Sequence, residues 1–116
     1  MDERLEKALD FSNYMVSLNN SKRFLEENFN QDLIYYFEGC QFTVNKELIS
    51  FCQIMLNRGQ DEIVLVDDNN KPLLIESVEE FLDKILNVYF TASNKYFNSY
   101  TKLLKSKKSI DSMVEL

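Results

Sequence analysis

A chain of 116 residues, 45% of them hydrophobic and 28% charged, has the composition of one ordinary globular domain. Its net charge of -6 argues against general affinity for nucleic acid, because duplex binding depends on Lys and Arg that neutralise phosphates. Histidine is absent, which excludes Ser-His and Cys-His catalytic pairs and most zinc sites.

No apolar run approaches the roughly 20 residues that span a bilayer, and the N-terminal MDERLEKALDF is charged where a signal peptide is apolar. We therefore expect a cytoplasmic protein with no membrane contact. In that reducing compartment the two cysteines, Cys40 and Cys52, are expected to be small, partly buried thiols, with a disulfide between them as the alternative.

The first predicted element is a long amphipathic helix of about 27 residues. Its apolar residues are spaced alternately by three and four, with one polar break at Lys22, and Asn19, Asn20 and Ser21 make a local interruption possible because they are weak helix formers. The stripe consists of Ala8, Phe11, Met15, Leu18, Lys22, Leu25 and Phe29.

A β-hairpin is predicted over residues 33–44, where aromatic and β-branched residues flank Glu38 and Gly39. Asn45 then caps a short helix over KELISFCQIMLNR, and Gly59 is placed where that helix stops.

A second hairpin follows from the runs IVLV and LLI, which an Asp-Asp-Asn-Asn turn and a proline separate. The acidic turn allows a calcium site, but it lacks the Gly and the distal Glu of an EF-hand loop. A solvated turn is the preferred interpretation.

Ser77 and Glu80 have the spacing of a capping box, which predicts a second long helix from there to about Leu104. The predicted fold class is therefore α+β. Two long amphipathic helices and a short helix pack with a small antiparallel sheet built from two β-hairpins. Residues 1–105 form the single domain, and residues 106–116 form a C-terminal tail with a short amphipathic turn.

The segment YFTASNKYFNSY holds five aromatic rings in twelve residues. At 100° per residue these rings continue an apolar stripe that begins at Val78, so we interpret them as a buried packing face. Base stacking is disfavoured because the intervening residues are mostly neutral, whereas a stacking platform needs Lys or Arg. A small pocket lined by tyrosine hydroxyls remains the alternative.

Two helices of about 40 Å are too long for four short strands to cover, so part of each stripe should stay exposed in a monomer. Exposed stripes of this size mark protein interfaces, and a homodimer that pairs the helices into a bundle is the expectation. The predicted interface residues are Phe11, Met15, Leu18, Leu25, Tyr89, Phe90, Tyr96, Phe97 and Tyr100.

Four lysines lie near the end of the second long helix: Lys102, Lys105, Lys107 and Lys108. They complement the helix dipole, and they are also the candidate contacts for an acidic partner. The following SIDSMVEL could dock onto a partner through Ile110, Met113, Val114 and Leu116.

No catalytic constellation is recognisable. Isolated Gly39 and Gly59 cannot form a phosphate loop, and the carboxylate pairs Glu26-Glu27 and Glu79-Glu80 point in different directions on their helices. We expect no enzyme activity, no cofactor and no metal.

Two stretches, FSNYMVSLNNSKRFLEE and LLIESVEEFLDKILNVYFTASNKYFNSYTKLLKSKKSIDSMVEL, resemble small uncharacterised proteins of contractile-tailed (myovirus-type) phages that infect marine cyanobacteria. The resemblance covers most of the chain, is most specific from the Tyr-Phe pairs into Ser-Ile-Asp-Ser-Met-Val, and excludes Cys40 and Cys52. It carries over no catalytic residue. It implies a viral protein made in the cytoplasm of a bacterial host, and analogy with small acidic phage proteins extends this to virion association.

These observations lead to three hypotheses. The first is a non-enzymatic phage protein that acts through protein–protein contacts in virion assembly or as a minor structural component. The second is a regulatory protein that binds a host protein, and the third is a small-ligand-binding domain.

Overall fold

The computed structural model describes the backbone of residues 2–114 and the side chains of residues 2–106. Three helices and two β-hairpins alternate along the chain, so the predicted α+β class and element order are confirmed. The elements are α1 (Glu3–Asp32), β1 (Ile34–Phe37), β2 (Cys40–Thr43), α2 (Lys46–Asn57), β3 (Ile63–Val66), β4 (Pro72–Ile75) and α3 (Val78–Val114).

Both long helices extend further than the sequence pattern indicated. Helix α1 passes through Asn19, Asn20 and Ser21 without interruption. Helix α3 has 37 residues and continues to Val114, so its predicted end near Leu104 is wrong. No Gly or Pro follows Pro72 in the sequence, and the lysines beyond Leu104 are good helix formers, so nothing local stops the helix.

The turns and caps form where the sequence placed them. Glu38 and Gly39 have φ angles of 49° and 78°, as a type I′ turn requires, and Phe37 pairs with Cys40 across it. The Asn45 side chain accepts a hydrogen bond from the Leu48 N–H at 2.8 Å, and the Ser77 hydroxyl accepts one from the Glu80 N–H at 3.3 Å.

The two hairpins are separate ladders rather than one continuous sheet. Strand β1 pairs antiparallel with β2, and β3 pairs antiparallel with β4. In the second ladder Val64 lies opposite Leu74 and Val66 lies opposite Pro72. Since Pro72 has no N–H, it is tolerated on such a short strand, where a ladder bond at that position is dispensable.

The chain forms two compact units. The core unit comprises Phe29–Asn94, which includes both hairpins, α2 and the first part of α3. The helix-pair unit comprises α1 up to Asn28 and α3 from Lys95. No helix in residues 2–114 carries an apolar stretch long enough to cross a membrane.

The hydrophobic core of the core unit centres on Phe81 of α3. Its ring lies 5.4 Å from the Phe42 ring, 5.5 Å from Phe37 and 6.2 Å from Tyr35, measured between centroids. Edge-on and tilted ring pairs of this kind add about 0.5–1.5 kcal/mol to the effect of burial alone. Six large side chains here are essentially inaccessible to solvent: Val44, Cys52, Ile75, Val78, Phe81 and Ile85.

Candidate interaction surfaces

Tyr89 to Tyr100 divide into a half-buried group and an exposed group. Tyr89, Tyr96 and Tyr100 are half-buried, whereas Phe90 and Phe97 are 60% and 68% exposed. The prediction that all five rings belong to a buried face is therefore wrong for the two phenylalanines. They lie about 100° to 140° around α3 from Val78 and Ile85, and they remain largely uncovered by the described residues.

The helix-pair unit is held by few buried contacts. Among its described residues, Leu18 is the buried side chain that α1 contributes, and Leu25 is half-buried. The Lys22 ammonium lies 5.8 Å from the centre of the Tyr100 ring, and Tyr100 meets Tyr96 edge-on at 6.2 Å. Lys22, the polar break in the predicted stripe, thus contacts an aromatic face.

Much of the apolar surface of α1 remains exposed. Phe11 and Met15, which the sequence assigned to an interface, are both exposed. A second apolar stripe, which the sequence reading missed, consists of Leu5, Leu9 and Val16 and is also exposed. These three residues lie within about 40° of one another on the side of the helix opposite Leu18. The spacings of four and seven residues between them are the sequence signal that identifies this second stripe.

A groove of about 470 Å³ runs between the two helices of this unit. Its described lining combines three apolar side chains with Asn and Ser side chains, and Lys102 is the charged residue among them. The Phe24 ring is strongly exposed at its edge. The lining residues are Asn20, Ser21, Phe24, Leu25, Ser99, Lys102, Leu103 and Ser106.

The β3–β4 hairpin is apolar on both faces. Leu65 and Ile75 point into the core, as expected for one face of a strand pair. The other face, formed by Val64, Val66, Pro72 and Leu74, should then be polar, but Val64 is 60%, Val66 61% and Leu74 46% exposed. The missing polar alternation in IVLV and PLLI is the sequence signal for this second apolar face.

The acidic turn after β3 joins the two hairpins. The Gln41 N–H donates to Asp67 Oδ2 at 3.0 Å, and the Gln41 carbonyl accepts from the Asp68 N–H at 2.8 Å. Asp67 Oδ1 accepts from the N–H groups of Asn69 and Lys71 at 2.9 and 2.7 Å. Asp67 is only 5% exposed, so the predicted solvated turn is wrong at this residue.

The environment of Asp67 favours its ionised form. Burial by itself raises the pKa of this carboxyl. The hydrogen bonds from Lys71, Gln41 and Asn69 and the charge of Lys71 lower it, and their sum leaves the pKa below the ordinary 3.8. In the part of the chain that the structure describes, no three Asp, Glu or Cys side chains are grouped to hold a metal ion.

Both cysteines are buried free thiols rather than a disulfide. Burial raises the pKa of Cys52 to about 11, so its thiol is almost entirely protonated near neutral pH. Such a thiol is a core side chain and a poor nucleophile.

A shallow cavity of about 390 Å³ lies in the core unit beside Tyr89. Its polar groups come from the start of α2, where the Asn45 oxygen is already used by the helix cap. The cavity is lined by Phe29, Leu33, Asn45, Lys46, Glu47 and Tyr89.

Of the four lysines predicted to contact a partner, Lys102 and Lys105 are exposed side chains of α3. The side chains of Lys107 and Lys108 lie outside the described residues, as do those of Ile110, Met113, Val114 and Leu116. No protein-family model matches the chain, and neither a curated protein nor a solved structure matches it.

Proposed function

We propose that this chain is a non-enzymatic protein that acts through protein–protein contacts, in phage particle assembly or as a minor virion component. It is made in the cytoplasm of the infected bacterium and self-associates. The resemblance to cyanophage proteins supports the viral setting. The observation that carries the self-association is the exposed apolar surface of α1.

Helix α1 is apolar on more than one side over its first half. Leu5, Leu9 and Val16 occupy one face, and Phe11 and Met15 lie toward the other. A helix with apolar residues on two sides is normally packed on both of them, but in the described part of its unit α1 has α3 alone beside it. A second copy packed against α1 would supply the missing layer and complete a four-helix bundle.

The chemistry of the described residues gives this proposal further support. The buried carboxylate, Asp67, is committed to holding a turn, and the buried thiol of Cys52 is protonated. The exposed apolar surfaces are therefore the features of the chain to which a function must still be assigned.

The test is solution mass by light scattering from about 1 to 100 µM. We expect the intact chain to reach twice its 13.7 kDa mass. The double variant Leu9→Glu, Val16→Glu should remain at or near the single-chain mass, because each charge would be buried in the bundle. A control with the same added charge, Asn87→Glu, Asn98→Glu, changes two exposed polar positions of α3 and should behave as the parent.

If the intact chain stays at the single-chain mass throughout, self-association is wrong. If both double variants dimerise equally well, the dimer does not use the Leu5, Leu9 and Val16 face.

A regulatory protein that binds a host protein is the alternative, with Lys102, Lys105, Lys107 and Lys108 as contacts. Removing residues 106–116 should then abolish binding to the host protein and leave self-association intact. The small-ligand hypothesis has the cavity at Tyr89 as its site. Thermal stabilisation by a member of a metabolite panel, lost in a Tyr89→Ala variant, would favour it over both.

A further inference from the structure

The outer face of the β3–β4 hairpin is an apolar surface with an acidic surround. The apolar part consists of Val64, Val66, Pro72 and Leu74. Exposed carboxylates lie immediately before, between and after the two strands, and they belong to Asp61, Glu62, Asp68 and Glu76. The basic residue in this stretch is Lys71. An occupant of this face must therefore be apolar at its centre and carry positive charge.

The charge of the chain is divided unequally between its two units. The core unit has eleven Asp and Glu against four Lys and Arg, a net charge of -7. The remaining residues have eight against nine, a net charge of +1. The core unit of one copy is thus repelled by the core unit of another copy, whereas the nearly neutral helix-pair unit does not repel it and presents Lys102 in its groove.

The groove of the helix-pair unit has the properties that the hairpin face requires. Phe24, Leu25 and Leu103 give it an apolar lining, and Lys102 is the charged residue among its described lining residues. The serine side chains leave room for another backbone to approach. The groove residues from Ser99 to Ser106 span about 10 Å along α3, and Val64 and Val66 lie about 7 Å apart along their strand, so the hairpin face fits within the length of the groove.

We propose that the outer face of the β3–β4 hairpin of one copy binds the groove between α1 and α3 of a second copy. The contact is heterologous, because two different surfaces meet, so a pair of copies keeps one unused hairpin face and one unused groove. Such a contact adds copies head to tail and grows into a ring or an open filament. It extends the proposed assembly function and is separate from the α1 dimer contact.

The test is a mixing experiment in the chain that carries Leu9→Glu, Val16→Glu, which removes the dimer surface on α1. A hairpin variant adds Val64→Glu, Val66→Glu, and a groove variant adds Phe24→Glu, Lys102→Glu, so that the two altered surfaces repel each other. All four added changes are at exposed positions. Lys46→Glu, Ser50→Glu, on the exposed side of α2, repeats the charge change of the groove variant outside both surfaces.

At several hundred micromolar, above the concentration range of the dimer test, we expect the Leu9→Glu, Val16→Glu parent and the control to grow beyond the single-chain mass, and each of the two surface variants alone to stay at that mass. Mixed in equal amounts, the two variants should form a complex with the mass of two chains, because one intact groove and one intact hairpin face remain. Sedimentation velocity measures all of these species. A mixture that sediments as the separate variants overturns the proposal, as does a hairpin variant that grows like the parent.

Variants that change only charged residues distinguish loss of the contact from a folding defect. Lys102→Glu alone and Glu62→Lys, Glu76→Lys alone should each weaken the contact at least tenfold. Mixing the two variants should restore association, because the unaltered groove meets the unaltered hairpin face and the two altered surfaces also carry opposite charges. Combining all three changes in one chain should restore growth. Failure of that restoration overturns the charge argument. If the proposed α1 dimer is absent but the mixed complex forms, the proposed dimer fails and this contact stands.

Discussion

The core unit and the helix-pair unit use the same kinds of residue with different results. In the core unit two hairpins and α2 pack against α3, and Phe81, Ile85 and Val78 are completely buried. In the helix-pair unit two helix segments pack side by side, and Phe11, Met15, Val16, Phe24 and Phe97 remain exposed. Each apolar face of a helix must pack against another element, and two helices that lie side by side cover only one face of each other. The stability of the protein should therefore come from the core unit, and its contacts with other molecules mainly from exposed apolar surface.

The largest effect should follow from removing the ring at the centre of the core unit. Phe81→Ala should lower the free energy of unfolding by about 3–5 kcal/mol, through lost burial and the cavity that remains. Phe97→Ala is the matched control, since it removes the same ring from an exposed position of the same helix, and should change that free energy by less than about 0.5 kcal/mol. Urea unfolding of dilute protein measures both, and equal losses would remove the distinction between the two units.

A smaller loss of stability is expected at the joint between the hairpins, which consists of the hydrogen bonds that connect Asp67 and Asp68 to Gln41. Asp67→Ala should lower Tm by about 10 °C, because the N–H groups of Gln41, Asn69 and Lys71 lose their acceptor. Asp68→Ala, which removes an exposed carboxylate bonded to Thr43 and Gln41, should lower Tm by only about 3 °C. A reversed order would mean that the buried carboxylate does not hold the joint.

The joint should also weaken in acid. The pKa of Asp67 is lower in the folded chain than its ordinary value of 3.8, so its ionised form stabilises the fold fully above that pH. Protonation below about pH 3.8 removes this contribution as the pH falls through the lower, folded pKa. The Tm difference between the parent and Asp67→Asn should therefore shrink between pH 5 and pH 2. A difference that stays constant over that range would show that ionisation of Asp67 is irrelevant.

Burial of Cys52 in the core unit should slow the alkylation of its thiol. In a Cys40→Ala variant, Cys52 should react with iodoacetamide at pH 8 about 100-fold more slowly than in urea, because a pKa of about 11 instead of 9.0 lowers the thiolate fraction by that factor. The same raised pKa predicts that stability falls above pH 9, where the unfolded thiol ionises and the folded one does not. If Cys52 in the folded protein reacted as fast as it does in urea, the core around α2 would not be closed to the reagent.

The smallest effect is expected in the helix-pair unit. Lys22→Gln removes the ammonium from the Tyr100 ring and should cost about 0.5 kcal/mol, seen as a Tm shift of about 2 °C. Arg23→Gln, one residue along on the exposed side of α1, should cost less. A cost at Lys22 comparable with that at Phe81 would mean that this unit contributes to stability as much as the core unit does.

The sequence predicted the features that depend on neighbouring residues. The turn at Glu38-Gly39, the cap at Asn45 and the start of α3 after Ser77 each need only a few adjacent residues, and all three formed. It did not predict the joint, since the Gln41 N–H meets a carboxylate 26 residues away. It also could not tell which apolar faces are covered: Phe90 and Phe97 continue a stripe on α3, but their exposure depends on whether another element reaches them.

Amide hydrogen exchange measured at about 1 µM and again at about 100 µM tests the central claim most directly. We predict that β1 to β4 and residues 78–92 of α3 are equally protected at both concentrations, because the core unit is closed within one chain. Residues 3–18 of α1 should exchange quickly in the dilute sample and gain strong protection in the concentrated one, where a second copy covers them. Equal protection of α1 at both concentrations would contradict the account, because the exposed apolar faces of the helix-pair unit would then have no use in self-association.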